Sequence, residues 1–132
     1  MTLEEFVERR VFLYDTDSTG IVYHSRYLEW FEEVRLVLLE REYKPMLRMI
    51  SEDHITFVPV ECDLQFKRPT MFEDRVTIEV KVKAASKIAI DTKYTIIKEG
   101  KVAVTASMKL VCVSTKTGRP VKIPAPLMNI LK

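Results

Sequence analysis

Apolar residues follow two different periods along this chain, which predicts one long helix followed by a series of strands. Residues 24–42 contain neither Gly nor Pro and are rich in Leu, Glu and Arg, a composition typical of a helix. At about 100° per residue, the apolar side chains of this helix spread over roughly 200° of its circumference. An ordinary surface helix has a narrower stripe, so we expect a sheet to curl around this one. The apolar positions are Tyr27, Leu28, Trp30, Phe31, Val34, Val37, Leu38 and Leu39.

From Ile55 onwards apolar and polar residues alternate, the period of antiparallel strands that bury one face. Four such runs predict strands within residues 55–66, 76–83, 88–96 and 102–112. The pair Glu99-Gly100 predicts a hairpin turn between the last two strands, while residues 67–70 and 84–87 form the other connections. In the first of these strands the predicted buried face comprises Val58, Val60, Cys62, Leu64 and Phe66.

The remaining segments complete one α+β unit. Residues 5–13 predict a first strand, Pro45 opens a short second helix or turn that ends near Asp53, and residues 124–132 predict a turn or helix on the outside. No repeat or linker interrupts the chain, so we expect a single domain over residues 1–132. Its predicted architecture is a five-stranded antiparallel sheet wrapped around one long central helix. Such a sheet leaves its edges uncovered, so we expect a homodimer at minimum.

Composition and charge narrow the classes of protein further. No apolar run approaches the ~20 residues of a membrane span, and the N-terminus is acidic where a signal peptide would be basic. Cys62 and Cys112 fall in apolar stretches without metal-ligand spacing, so we expect two buried, reduced thiols and a cytoplasmic protein. A net charge of only +2, without a basic run, gives no reason to expect a nucleic-acid partner.

The candidate reactive side chains cluster where a short acidic loop leads into the long helix. Asp15 and Asp17 precede Gly20, and the helix begins near His24. A carboxylate, an imidazole and exposed helix N–H groups can hold a carbonyl, stabilise its oxyanion and deliver water. A plain Asx turn is the structural alternative, but polar groups beside a core helix cost desolvation energy that such a turn need not incur. The loop therefore favours a functional site.

The same loop also matches the first half of a calcium-binding EF-hand. Asp15, Asp17 and Thr19 stand at ligand positions 1, 3 and 5, with Gly20 at position 6. Position 12, which must supply a bidentate carboxylate, is Arg26, and a β-like segment precedes the loop where a helix is required. We therefore expect no metal.

The loop and the helix start resemble the signature of the 4-hydroxybenzoyl-CoA thioesterase family of hot-dog-fold enzymes, and more closely its YbgC-like acyl-CoA thioesterase branch. That signature reads Asp-x-Asp-x-x-Gly-(Val/Ile)-Val-Tyr-His, followed by x-x-Tyr-Leu. Ser18 and Thr19 replace its usual smaller residues, which puts the pocket shape in doubt. The resemblance continues less specifically through residues 57–60 and 66–74. The matching positions are Asp15, Asp17, Gly20, Ile21, Val22, Tyr23, His24, Tyr27 and Leu28.

The resemblance implies a hot-dog fold and hydrolysis of an acyl-CoA or acyl carrier protein thioester without a cofactor. It implies that Asp17 is the nucleophile or the general base and that backbone N–H groups near His24 form the oxyanion hole. The His24 side chain would orient water, Asp17 or the departing thiolate, or simply bond at the helix terminus. Asp15 would shape the loop. Enzymes of this kind commonly form homotetramers with active sites between subunits.

The candidate substrate contacts are aromatic pocket walls, the loop glycine and polar or basic residues on strand connections. The last group would meet the phosphates of coenzyme A, to which the mildly basic chain is suited. Two alternatives remain open: a non-catalytic module that binds acyl thioesters or their carrier protein, and a hydroxyacyl-thioester dehydratase on the same fold. A dehydratase needs a paired histidine, and His54 has no matching motif. The candidates are Tyr14, Gly20, Tyr23, Tyr27, Phe57, Lys67, Arg68, Ser86 and Lys87.

Overall fold

The computed structural model describes residues 2–131 and contains five strands and three helices. A 3-10 turn, Leu13–Asp15, follows the first strand, and the second helix continues as a π-helical turn, Met49–Asp53. The strands are β1 (Leu3–Arg10), β2 (Ile55–Phe66), β3 (Arg75–Ala84), β4 (Ala89–Lys98) and β5 (Lys101–Ser114). The helices are α1 (Ser25–Glu42), α2 (Met46–Arg48) and α3 (Ala125–Leu131).

The five strands form one antiparallel sheet in the order β1-β3-β4-β5-β2, with α1 packed against its inner face. The alternating apolar residues of β3, β4 and β5 lie on that face, where Ile78, Ile90 and Leu110 are completely buried. Phe31 of α1 stacks on Tyr94 of β4, with 4.4 Å between the ring centroids. The predicted α+β hot-dog architecture is therefore confirmed.

A β-bulge in β2 makes part of its predicted buried face wrong. Pro59 pairs with Leu110 and Glu61 with Lys109, so Val60 is the extra residue between them. Such an insertion shifts the period-two alternation by one residue. Val58 therefore points to the outer face, and both valines are exposed.

Beyond the bulge, Cys62, Leu64 and Phe66 do point inward, but β2 is an edge strand and α1 leaves this end of it open. Leu64 is half-buried, whereas Cys62 and Phe66 are exposed. The expectation of two buried thiols is thus wrong for Cys62 and confirmed for Cys112; both are free.

The helix boundaries and most connections agree with the pattern, with local differences. The first strand is Leu3–Arg10, shorter at its end than predicted, because Val11 turns away to exchange backbone hydrogen bonds with residues 73 and 74. Leu28 and Val37, at the margins of the apolar arc of α1, are exposed. The hairpin turn is confirmed, with positive φ at Glu99 and Gly100.

The C-terminal helix differs from the expectation of an outside element. Leu127 and Leu131 of α3 are buried in the same apolar cluster as α1 and the inner face of the sheet. The helix therefore closes part of the core. Within residues 2–131, no helix has the length and apolarity that crossing a bilayer demands.

Candidate functional site

The loop around Asp17 is a small hairpin held together by its own backbone. Thr16 and Val22 face each other in an antiparallel bridge, and the Asp17 N–H donates to the Ile21 carbonyl over 3.0 Å. Gly20 turns the tip with φ +80°, a conformation that disfavours residues with a Cβ. The segment that connects the two aspartates to the start of the helix therefore forms a turn with its own backbone hydrogen bonds.

The segment that follows β2 fixes this hairpin against the sheet. The Val22 N–H donates to the Thr70 carbonyl (2.8 Å), and the Phe72 N–H donates to the Gly20 carbonyl (3.1 Å). Arg26, at the EF-hand ligand position 12, instead donates to the Tyr14 carbonyl over 3.2 Å. The loop is therefore anchored from both sides without a metal ligand at that position.

Asp15 is completely buried and all of its polar groups contact the protein. Its carboxylate accepts hydrogen bonds from Arg9 Nη2 at 3.3 Å and from the Phe12 N–H at 2.9 Å. Its carbonyl accepts a hydrogen bond from the Tyr23 N–H at 2.9 Å. Arg9 in turn bonds Glu33 of α1 at 3.2 Å. Asp15 therefore ties β1, the loop and α1 together, which is the structural role expected for it.

Asp17, two residues on, lies in solvent at the loop tip. Its Oδ1 accepts hydrogen bonds from the Thr19 hydroxyl (2.5 Å) and the Thr19 N–H (2.8 Å). These bonds favour the ionised form, first the hydroxyl and then the N–H, and lower the pKa of Asp17 below its ordinary value of 3.8. The carboxylate is therefore ionised at neutral pH and has a second oxygen, Oδ2, without a protein partner among residues 2–131.

The start of α1 provides a second polar feature beside this loop. The first N–H groups of the helix that donate are those of Arg26 and Tyr27, to the carbonyls of Tyr23 and His24. Among the described residues, the N–H groups of His24 and Ser25 have no acceptor. They lie at the positive end of the helix dipole, which favours a partial negative charge.

A cleft of about 410 Å³ opens beside His24. Its aromatic wall consists of Phe66 and Tyr27, whose ring centroids are 5.8 Å apart. The Tyr27 hydroxyl shares a hydrogen bond of 2.5 Å with Thr70, and burial raises the pKa of this phenol. The lining residues are Ile21, Val22, His24, Tyr27, Phe66, Lys67, Arg68 and Pro69.

The structure brings several of the predicted site residues together. His24, Tyr27, Lys67 and Arg68 line the cleft, and the loop with Gly20 adjoins it. Tyr14 and Tyr23 are exposed at the two flanks of the loop, Tyr23 with its ring 4.5 Å from that of His24. Asp17 itself is not among the residues that line the cleft. In one chain alone, its carboxylate therefore lies outside the cleft.

Three predicted contacts lie at the opposite end of the sheet within the chain. Phe57 is buried beside Cys112, near the start of β2, and Ser86 and Lys87 occupy the turn between β3 and β4. The length of β2 separates Phe57 from the cleft by roughly 30 Å. Within one chain these three residues lie away from the cleft, because the antiparallel topology puts the β3–β4 turn and the end of β2 at different ends; their contact with a substrate stays a prediction. His54 lies at that far end too and forms the turn before β2, with φ 55°.

Sequence reasoning missed three residues that build the site: Arg9, Thr19 and Thr70. Thr70 acts through a contact with Tyr27 that is 43 residues away along the chain. Arg9 is only six residues from Asp15, but it lies on the strand before the loop, outside the motif. Thr19 was open to inference, because a hydroxyl two residues after an aspartate is well placed to bond its carboxylate.

A depression of about 620 Å³, larger than the cleft beside His24, lies elsewhere. It lies on the outer face of the sheet, where Lys83, Asp91, Lys109 and Glu61 follow one another across four strands. Its lining is charged and contains no aromatic residue, so the cleft beside His24 is the better candidate for a site.

Comparisons with known proteins agree with this geometry. Residues 11–131 match the model of the thioesterase-like superfamily. The acyl-CoA thioesterase YbgC of Haemophilus influenzae is 26% identical over 87% of this chain and 85% of its own length. A gentisyl-coenzyme A thioesterase superposes with a TM-score of 0.85 at 28% identity, covering 93% of this chain and 98% of the other. A hypothetical protein of Aquifex aeolicus superposes with a TM-score of 0.88 at 28% identity over 97% and 99%.

Proposed function

The chain belongs to the thioesterase-like superfamily, and from that premise we propose that it hydrolyses acyl-CoA thioesters to a free acid and coenzyme A, with Asp17 as the reacting carboxylate. One observation carries the proposal: an exposed carboxylate with a lowered pKa lies on a hydrogen-bonded loop that leads directly into unpaired helix N–H groups. The relatives named for acyl-CoA and gentisyl-CoA hydrolysis support a coenzyme A thioester as the substrate.

The proposed reaction follows from these groups. The carbonyl oxygen of the thioester accepts hydrogen bonds from the N–H groups of His24 and Ser25, which makes the carbonyl carbon more electrophilic. As a general base, Asp17 takes a proton from water, and the water oxygen forms a bond to that carbon. The tetrahedral oxyanion is stabilised by the two N–H groups. When it collapses, the C–S bond breaks and the thiolate leaves with the proton held by Asp17.

The covalent alternative uses the same carboxylate as nucleophile. Asp17 then attacks the carbonyl carbon directly, the thiolate leaves, and water hydrolyses the resulting anhydride. His24 is exposed beside the helix start and is proposed to orient water or the leaving thiolate. Lys67 and Arg68 are proposed to contact the phosphates of coenzyme A at the mouth of the cleft.

We propose that the working unit is a homodimer or a tetramer of such dimers. The edge strand β2 leaves Val58, Val60 and Phe66 exposed, up to 57% for Phe66, and a second copy paired along β2 would cover them. Antiparallel pairing of two β2 strands sets the far end of one chain beside the cleft of the other. Phe57, Ser86 and Lys87 would then reach a site through the partner. Sedimentation equilibrium measures this directly, and a monomer at micromolar concentration would contradict it.

The carrier and the location are also proposals. Coenzyme A is favoured over acyl carrier protein by the names of the relatives, and a kcat/KM higher for the carrier-protein thioester would reverse that choice. A cytoplasmic location is supported by the two free cysteines, because the reducing cytosol preserves thiols.

The test is hydrolysis of a panel of short, long and aromatic acyl-CoAs, with free coenzyme A detected by a thiol reagent. Wild type should turn over at least one acyl class, and Asp17→Asn should lower kcat by roughly 10³-fold or more. Ser18→Ala is the matched control in the same loop and should retain activity. Full activity in Asp17→Asn would refute the assignment, and no turnover of any thioester would refute the proposed function.

A further inference from the structure

An exposed row of aromatic rings and guanidinium groups runs from the start of α1 to the end of β1. The rings of Phe12 and Tyr14 stack with 5.6 Å between their centroids and 13° between their planes. Arg26 Cζ lies 5.8 Å from the centroid of the Tyr14 ring, and Arg10 Cζ lies 5.7 Å from that of the Phe12 ring. We call the row formed by Arg26, Tyr14, Phe12 and Arg10 the aromatic ladder.

The rings of the ladder are open to solvent. Phe12 is 43% exposed and Tyr14 is 63% exposed, and Leu13 between them is 66% exposed. Contiguous exposed apolar side chains mark a binding surface more often than isolated ones do. Because β1 and β2 are the two opposite edges of the sheet, the proposed dimer along β2 would leave the ladder uncovered. The ladder therefore stays available to a ligand in that dimer.

Two arginines of like charge meet at the outer end of the ladder. Arg10 and Arg75 are directly opposite each other in the pairing of β1 with β3, an arrangement that destabilises a sheet. Within residues 2–131 Arg75 forms no ion pair, and Arg10 bonds Glu73 at 3.5 Å in an exposed pair that stabilises little. A depression of about 370 Å³ adjoins both arginines, and Glu8 is the one acidic residue in its described lining. An anion bound here would offset the repulsion between the two guanidinium groups.

The inner end of the ladder adjoins the proposed reaction site. Arg26 directly follows Ser25, whose free N–H is a proposed donor to the oxyanion. Arg26 Nη2 donates to the Tyr14 carbonyl over 3.2 Å and its Nη1 bonds Glu29 at 2.8 Å, so this guanidinium is held in place. In a coenzyme A thioester, the pantetheine arm separates the reacting carbonyl from the nucleotide. A thioester at the helix start can therefore extend its nucleotide along the ladder.

We propose that the aromatic ladder binds the adenosine 3′-phosphate of coenzyme A, an inference that rests on the proposed function. The adenine would lie against Phe12 and Tyr14, because nucleic-acid bases stack on aromatic side chains. The 3′-phosphate would lie between Arg10 and Arg75, because guanidinium groups form charge-assisted, paired hydrogen bonds with phosphates. The four residues are remote from the reacting carbonyl. They therefore contribute affinity for the carrier and take no part in the chemical step.

The test uses three non-hydrolysable thioether analogues that carry the same acyl-like tail. One is built on coenzyme A, one on dephospho-coenzyme A, which lacks the 3′-phosphate, and one on pantetheine, which lacks the nucleotide. In calorimetric titration of wild type, the coenzyme A analogue should have a Kd at least about 10-fold below that of the dephospho analogue, as expected for a charge-assisted contact. The dephospho analogue should in turn bind about 10-fold more tightly than the pantetheine analogue.

Variants assign these differences to the ladder. Arg10→Met should abolish the preference for coenzyme A over dephospho-coenzyme A, and Arg10→Lys should restore part of it. Tyr14→Ala should weaken both nucleotide analogues by about 10-fold and leave the pantetheine analogue unchanged, whereas Tyr14→Phe should behave as wild type. Both side chains are exposed, so the variants should fold. Arg48→Met and Phe6→Ala, at an exposed arginine and an exposed ring outside the ladder, are the controls and should change none of the three Kd values.

Three results would overturn the inference. One is a wild type that binds the coenzyme A and dephospho analogues equally, and another is a preference that persists in Arg10→Met. The third is a Tyr14→Ala variant that changes the oligomeric state while its Kd values stay those of wild type, because the ladder would then be an interface between copies. The comparison does not depend on Lys67 and Arg68, since the 5′-diphosphate is present in both nucleotide analogues. Because binding needs no turnover, a chain that binds as predicted but hydrolyses no thioester would refute the proposed function alone.

Discussion

Asp15 and Asp17 are the same residue type, two positions apart, yet the two sides of their loop do different work. The inner side is buried: Asp15 bonds Arg9 of β1 and the Phe12 N–H, and Arg9 also bonds Glu33 of α1. The outer side is exposed: Asp17 contacts only its own turn. A completely buried carboxylate whose two oxygens both bond the protein can stabilise a fold, but it is not accessible to a substrate. Within this one motif, burial therefore separates the structural aspartate from the chemical one.

The largest expected effect on stability comes from the inner side. Asp15→Ala should lower the free energy of unfolding by about 2–4 kcal/mol, because Arg9 and the Phe12 N–H lose a buried acceptor. Urea denaturation measures this, with Asp17→Ala as the matched control expected to cost less than about 1 kcal/mol. Equal losses in the two variants would show that the two sides do not differ as described.

A smaller loss should follow from the scaffold beneath the loop. Tyr27→Phe removes the hydroxyl that bonds Thr70 and leaves the buried Thr70 hydroxyl without that partner, which should cost about 1–2 kcal/mol. Thermal unfolding of Tyr27→Phe and wild type checks the value. An unchanged midpoint would mean that Thr70 finds another partner and that this hydrogen bond does not fix the loop.

Substitutions on the outer side should change substrate binding and leave the free energy of unfolding nearly unchanged. Lys67→Ala should raise KM for an acyl-CoA several-fold, equivalent to about 1 kcal/mol, with little change in kcat, since a phosphate contact stabilises ground and transition states alike. The effect should diminish with added salt. Lys93→Ala, on the outer face of the sheet, serves as the control, and an equal rise in its KM would remove Lys67 from the site.

The smallest effect is a shift in pH dependence. In Thr19→Val, Asp17 loses the hydroxyl that contributes most to lowering its pKa, so the acid limb of the kcat/KM profile should move to higher pH. Because the pKa of Asp17 is lower in the folded state, its ionised form stabilises the fold at pH values above its ordinary pKa of 3.8. This stabilisation disappears as the pH falls through the pKa of the folded state. Ser18→Ala should leave the limb in place; a limb unmoved by Thr19→Val would contradict the role of Thr19.

Most of the fold was predictable from periodicity, because α1 and the strands β3 to β5 bury one continuous face each. In β2 the pattern failed at Val60. The bulge there depends on pairing with β5, although Pro59 already marked a place where regular pairing is weak. Cys62 was predicted to be buried because its neighbours alternate correctly. The sequence does not show that β2 is an edge strand, which has no partner on one side and leaves Cys62 exposed.

The site was predictable as far as its residues are close in sequence. Asp17, Gly20 and His24 follow from one short motif, whereas Thr70 reaches Tyr27 only through the fold, from 43 residues away. Arg35 lies among the apolar positions of α1 and is buried there, but no pattern in the sequence reveals its partner Tyr94, which is 59 residues away. Phe57, Ser86 and Lys87 were assigned to a site that a single chain does not form, because the sequence carries no direct record of which chain completes a cleft.

The most direct test of Asp17 as the reacting carboxylate is to measure kcat and the free energy of unfolding side by side for Asp15→Asn and Asp17→Asn, on the best acyl-CoA of the panel. We expect Asp17→Asn to lose roughly 10³-fold or more of kcat at nearly unchanged stability. Asp15→Asn should lose stability, yet retain most of kcat at temperatures where it is folded. The reverse result, with turnover lost in a folded Asp15→Asn and kept in Asp17→Asn, would contradict the assignment of Asp17 as the reacting carboxylate.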